Sequence, residues 1–147
     1  MRLQTDSQTL DLTGFVREGA RTYAGFDVEV DGRAITALRL DTSDEEQTLR
    51  LVNFPDRFSR QIVVTFPQSA IVELTAVLLE DDAETSPIPE SKTKYLSIGD
   101  SITQGMDAAG PASAYVIQLA RLMDAELLNL GVGGHIFDLD AMDDDLP

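Results

Sequence analysis

The residues best suited to chemistry lie in two glycine-rich stretches. Tyr95-Leu96-Ser97-Ile98-Gly99-Asp100-Ser101-Ile102-Thr103-Gln104-Gly105 is an apolar run that breaks into Gly-Asp-Ser, and Leu127-Leu128-Asn129-Leu130-Gly131-Val132-Gly133-Gly134 has the same ending. Each reads as a buried strand that delivers its last residues to the carboxyl end of a parallel sheet, where open α/β sheets place their chemistry. The loop at Ser101 is not a phosphate loop, which needs Lys-Ser or Lys-Thr after its last glycine, because Met106 follows Gly105. Nor is it the tight hydrolase elbow Gly-x-Ser-x-Gly, because Thr103 stands where the second glycine belongs. A plain helix cap stays open, since Ser101 with Gln104 three residues on fits the capping-box pattern. Gly105 would stop such a helix after one turn, and a cap leaves the matching glycine loop at 131–134 unexplained.

Composition narrows the partners. The chain has 147 residues with 26 acids against 11 bases, a formal charge of −15. That balance opposes nucleic acid, whose affinity comes mainly from Lys and Arg neutralising phosphates. Lys92 and Lys94 are the only lysines. An acid-rich, lysine-poor surface suits a high-salt cytosol and equally describes an ordinary acidic, soluble surface. Without cysteine there is no disulfide framework, thiolate nucleophile or cysteine-built zinc site. The start, Met1-Arg2-Leu3-Gln4-Thr5-Asp6, has no apolar h-region, and no stretch has the length to span a bilayer. The expectation is a cytoplasmic protein with no membrane or nucleic-acid partner.

The elements that must position the two loops divide the chain. Residues 1–88 read as an all-β module, a sandwich of jelly-roll type with five to seven strands. Phe26-Asp27-Val28-Glu29-Val30 alternates as a half-buried strand should, and Asp31-Gly32 is a hairpin signal, with the return strand over 33–40. Residues 41–46 read as a polar loop. Thr48 to Phe54 follows as a strand with Leu49 and Leu51 on one face and Arg50 and Val52 on the other. Residues 61–66 and 70–79 complete the set. Glu80 to Ser91 is acidic, rich in Ser and Pro, and reads as the boundary, with 89–94 as linker. Residues 95–147 then alternate strand and helix. The helix spans Ala112 to Met123 with Pro111 at its start, its buried stripe formed by Tyr115, Leu119 and Leu122 and widened by Val116, Ala120 and Met123. The tail from Phe137 is too poor in apolar residues for an element of its own.

With both blocks in view, residues 92 to 147 resemble the GDSL or SGNH hydrolases. In that family a serine after Gly-Asp, just beyond the first strand, is the nucleophile, and Ser101 occupies that place. An asparagine a few residues before a glycine that donates a backbone N–H to the oxyanion hole forms the next block. Asn129 and Gly134 match it. The resemblance implies an α+β chain of two modules, the β-sandwich followed by an incomplete α/β hydrolase domain of flavodoxin-like type with a parallel sheet. It implies hydrolysis of a carboxylic ester, small or carried on a carbohydrate, through an acyl-Ser101 intermediate and without metal or organic cofactor. Donors preorganised at an oxyanion are worth about 2.7–4 kcal/mol each, and the N–H groups of Ser101 and Gly134 lie on adjacent strand ends by this reading. Asp100 suits holding the loop through backbone hydrogen bonds.

The family's other blocks, a Gly-x-Asn-Asp turn and an Asp-x-x-His, are absent from these residues. The only histidine, His135, matches no base of the family and reads as a residue lining or bordering the site. A serine without a base is a weak nucleophile. The expectation is therefore a truncated hydrolase, close to inactive as it stands, in which oligomers are possible. The competing reading is a β-sandwich that binds glycan or protein, with the remnant as scaffold.

Overall fold

The structure, a computed structural model, describes residues 1–136. The tail from Phe137, read above as too apolar-poor for an element, lies outside the described residues. Ten strands occur among the described residues: β1 Arg2–Thr5, β2 Thr9–Arg17, β3 Tyr23–Val30, β4 Arg33–Asp41, β5 Ser43–Asn53, β6 Arg60–Thr65, β7 Ile71–Leu78, β8 Thr85–Pro87, β9 Thr93–Gly99 and β10 Ala125–Gly131. Helices are α1 Ser101–Gln104 and α2 Tyr115–Leu122, with a 3-10 turn at Pro111–Ser113. None is long and apolar enough to cross a membrane.

The expected fold class is corrected by this inventory. The described residues are mostly β and mostly antiparallel, and no parallel-sheet α/β domain forms: β9 and β10 are the one parallel pair among them. A parallel sheet needs a crossover for every added strand. Residues 93–136 contain one such crossover, so two strands are all they can pair.

The chain divides into two compact units, one of Met1–Glu90 with Ala109–Ala112, the other of Ser91–Ala108 with the residues from Ser113 on. In the first, a five-stranded sheet in the order β4-β3-β6-β1-β8 and a three-stranded sheet β5-β2-β7 are antiparallel throughout. Alternate residues of β2 and β3 point into one core with partners from β5 and β6, including Leu10, Phe26, Val28, Leu51, Ile62 and Val64. Asp31 and Gly32 take φ of 50° and 76°, the positive pair that a tight Asp-Gly hairpin demands.

Tertiary pairing overrides local pattern in three places. β5 begins at Ser43, not Thr48, because Ser43, within the stretch read as a loop, pairs with Val16 of β2 and Gln47 with Gly14. A bulge between Leu10 and Asp11 of β2 opposes two residues of β5 to one, so Leu51 and Val52 are both buried where strict alternation would expose one. The boundary stretch 80–91 holds a strand, β8 on β1. It is fastened by Arg57, whose guanidinium donates to Asp6 and to both the carboxylate and carbonyl of Asp82, while Asp6 accepts from the Glu84 N–H at 2.8 Å. Those hydrogen bonds from Arg57 hold the Asp6 and Asp82 carboxyls below the usual carboxylate range.

The expected helix 112–123 is also divided. Ala114 adopts φ −58°, ψ 134°, and the α-helix starts at Tyr115. The cause lies in the first unit, which seats the segment before it. The Asp27 carboxylate on β3 accepts the Ala112 N–H at 2.7 Å, and Gln68 Nε2 donates to the Pro111 carbonyl at 3.4 Å. A side chain at Gly110 would overlap that carboxylate.

In the second unit, Val116 and Ala120 are the buried residues of α2. Tyr115, Leu119, Leu122 and Met123, expected as core, are exposed. One helix over two strands can bury only a narrow stripe, and the two smaller residues take it.

Candidate active site

β9 and β10 run parallel with Gly99 paired to Gly131, so both chains leave the sheet at one level. Val132 N–H donates to the Gly99 carbonyl at 3.0 Å and extends the pairing one step. The two strand-end glycines are needed for close approach. A Cβ on Gly99 would overlap the Thr103 side chain, and one on Gly131 would overlap the backbone at Thr103 and Gln104. Neither has positive φ.

The α1 cap resolves the alternative left open by the sequence. Asp100 is the cap, its Oδ1 accepting the Ile102 N–H at 2.9 Å, and Ser101 is the first helical residue. Gly105, at φ 103°, ends the helix after one turn with its N–H on the carbonyls of Ser101 and Ile102. Gln104 closes no capping box. Its Oε1 instead accepts the Gly133 N–H at 2.8 Å and ties the second loop to the first.

Asn129 is the other tie. Its Nδ2 donates to the Thr103 carbonyl at 2.9 Å and the Gln104 carbonyl at 3.4 Å, and its Oδ1 accepts the Gly131 N–H at 2.9 Å. Carbonyls at a helix end have no partner within the helix, and here a strand residue supplies one. Beneath α1 the buried Thr103 hydroxyl shares a 2.9 Å hydrogen bond with the Tyr115 hydroxyl.

Ser101 is half-buried, and among the described residues its hydroxyl has no hydrogen-bond partner. The β10 loop passes beside it: a Cβ built on Gly133 would lie 3.8 Å from the Ser101 Cβ. Gly134 follows at φ +77° with open space around its Cβ position, and its N–H is unbonded among the described residues. The positive φ favours glycine here irrespective of space. His135 is exposed, and its N–H bonds the Val132 carbonyl at 3.1 Å to close the turn. It lines a hollow of about 310 Å³ with Ile98, Gly99, Asp100 and Thr103.

Ser101, Gly133 and Gly134 are thus brought to neighbouring positions, with Asp100 and Asn129 fixing the backbone that carries them. His135 borders the adjacent hollow. Sequence reasoning misses Gln104 as a tie between the loops; its position just before Gly105, facing a second glycine loop, is the one signal of that role. No group of three or more metal-ligating side chains is gathered among the described residues.

No family model matches the chain, and no curated protein does. Solved structures do. The salicylyl-acyltransferase SsfX3 of a tetracycline biosynthetic pathway is similar with a TM-score of 0.75 and 27% identity, over 88% of this chain and 38% of that one. A protein described as a GDSL-like lipase from Bacteroides ovatus gives 0.73 and 20%, over 91% and 43%. A family two carbohydrate esterase from Clostridium thermocellum, solved with cellohexaose, gives 0.73 and 17%, over 90% and 44%. The chain spans about two fifths of the length of these structures. The likeness supports the fold of an SGNH-type hydrolase over the corresponding portion.

Proposed function

We propose that these residues carry the nucleophile half of a serine ester hydrolase of SGNH type. The observation that carries the reading is the neighbouring placement of two loops, one starting α1 at Ser101 and the other ending at Gly134 with an unbonded N–H. In the proposed reaction Ser101 Oγ attacks the ester carbonyl carbon and its proton passes to a base. The oxygen that becomes negative accepts hydrogen bonds from the N–H groups of Ser101 and Gly134. Collapse of the tetrahedral intermediate expels the alcohol, which takes up a proton and leaves acyl-Ser101, and water then releases the acid. Asp100 and Asn129 act through the backbone they hold.

The substrate class is an O-acyl ester on a carbohydrate, supported by neighbours described as carbohydrate esterases and as an acetyl xylan esterase. No Asp-x-x-His occurs among these 147 residues and His135 is their one histidine, so slow turnover by the chain itself is the expectation; loss of the base in a serine hydrolase costs on the order of 10⁶.

Mass spectrometry after incubation with p-nitrophenyl acetate tests this. Slow, stoichiometric acetylation of the peptide bearing Ser101, absent in Ser101→Ala, is expected. Fast turnover that Ser101→Ala abolishes would refute the missing base and bring His135 forward as that base. Acetylation unaffected by Ser101→Ala would refute the nucleophile.

A further inference from the structure

Residues 132–135 form a turn closed on itself. The His135 N–H bonds the Val132 carbonyl at 3.1 Å, and positive φ falls at Gly134 but not at Gly133, the pattern of a type II turn. Two anchors hold it. At its base the Val132 N–H reaches the Gly99 carbonyl at 3.0 Å. At its tip the Gly133 N–H reaches Gln104 Oε1 at 2.8 Å, and no other side chain among the described residues bonds the turn. Adjacent glycines give the tip wide backbone freedom, so the base anchor alone leaves it free to swing. Ser101 and Gln104 stand three apart in the single turn of α1 and project from one side of it. Gly133 lies against both: a Cβ built there would be 3.2 Å from Gln104 Oε1 and 3.8 Å from Ser101 Cβ.

We infer that Gln104 is a positioning residue for acylation, a role that rests on the esterase reading above. By holding Gly133 it sets where the next N–H, that of Gly134, stands relative to Ser101 Oγ. As Oγ bonds to the ester carbonyl carbon, the C=O electron pair moves onto oxygen and the Oγ proton passes to a base; the pair then returns and the alcohol leaves. The charge on that oxygen is what the Gly134 N–H meets. Gln104 acts through the turn rather than on the ester. Its side chain has to span from α1 to the turn and end in a hydrogen-bond acceptor, so length alone does not suffice. Deleting an oxyanion donor costs about 10²–10³ in rate, and releasing one that still visits its place part of the time should cost less, about tenfold.

Two measurements on the 147-residue chain test it: amide exchange at Gly133 by NMR, and the rate at which p-nitrophenyl acetate acetylates the peptide bearing Ser101, followed by mass spectrometry. Gln104→Met keeps the length of the side chain and removes the amide oxygen. Gly133 exchange should then rise about tenfold and acetylation fall about tenfold. Gln104→Glu keeps an acceptor, so Gly133 exchange should stay within about threefold of wild type. Gly134→Ala strains a backbone at φ +77° and displaces the same N–H, so adding Gln104→Met to it should slow acetylation by less than about twofold. A tie that only supports the fold predicts the same loss in both backgrounds. Acetylation that Ser101→Ala abolishes and Gln104→Met leaves unchanged overturns the positioning role alone. So do additive losses in the double variant, or a Gly133 amide that exchanges as fast in Gln104→Glu as in Gln104→Met. Wild-type protein that is never acetylated at Ser101 overturns the esterase reading, and the positioning role with it.

Discussion

Replacing Asn129 by alanine should loosen α1 from the strand beneath it, and the size of the effect follows from the hydrogen bonds that the side chain makes. Three disappear, two from Nδ2 to the Thr103 and Gln104 carbonyls and one from the Gly131 N–H to Oδ1. A typical intramolecular hydrogen bond contributes about 1 kcal/mol net, and groups left unsatisfied cost more. The 3.4 Å bond is weak and water reaches this half-buried site, so the expected destabilisation is about 2 kcal/mol. That corresponds to roughly 30-fold more frequent opening of the local structure. Native-state hydrogen exchange reads it directly, because the Gln104, Gly105 and Met106 amides are bonded within the α1 turn. Asn129→Asp sharpens the test. It keeps an acceptor for Gly131 but sets a carboxylate against two carbonyls, and exchange should be at least as fast as in Asn129→Ala. Exchange in either variant within about twofold of wild type would show that Asn129 does not hold α1.

Other perturbations separate packing from chemistry. Gly131→Ala puts a methyl group into the α1 backbone and should cost about 1–3 kcal/mol, read as a lower melting temperature of the second unit. Ser101→Ala removes a hydroxyl without a partner among the described residues, so thermal stability should stay within about 0.5 kcal/mol while acetylation is lost. Acid should weaken the clasp around Arg57. Asp6 and Asp82 titrate below their ordinary value of 3.8 when folded, so their contribution is full above that value and disappears as pH falls through the lower folded values. Melting curves from about pH 5 to about pH 2 should be flatter for Asp6→Asn than for wild type, with a small amplitude because the groups are accessible to solvent.

The strand patterns, the Asp31-Gly32 turn and the two glycine-rich endings were legible because their causes are local. Alternation follows from the pleat, positive φ from the turn, and a missing Cβ from the residue type. The order and spacing of Gly99-Asp100-Ser101 and Asn129 to Gly134 likewise pointed to two loops at one sheet end. What the tertiary structure alone decided has distant causes. Helix 112–123 gives way at Ala114 because Asp27 and Gln68, far away in sequence, hold the residues before it. Leu51 and Val52 are both buried because β5 bulges there, carrying one residue more than β2 opposite it. The capping box dissolves because Gly133 claims the Gln104 side chain. The parallel-sheet domain expected after residue 94 fails as a class because a sheet is counted in strands that pair, and the described residues supply two. Which face of those strands is covered is equally invisible in sequence: Leu96, Ile98, Leu128 and Leu130 have the composition of a core, and only the placement of α1 on the opposite face leaves them as surface.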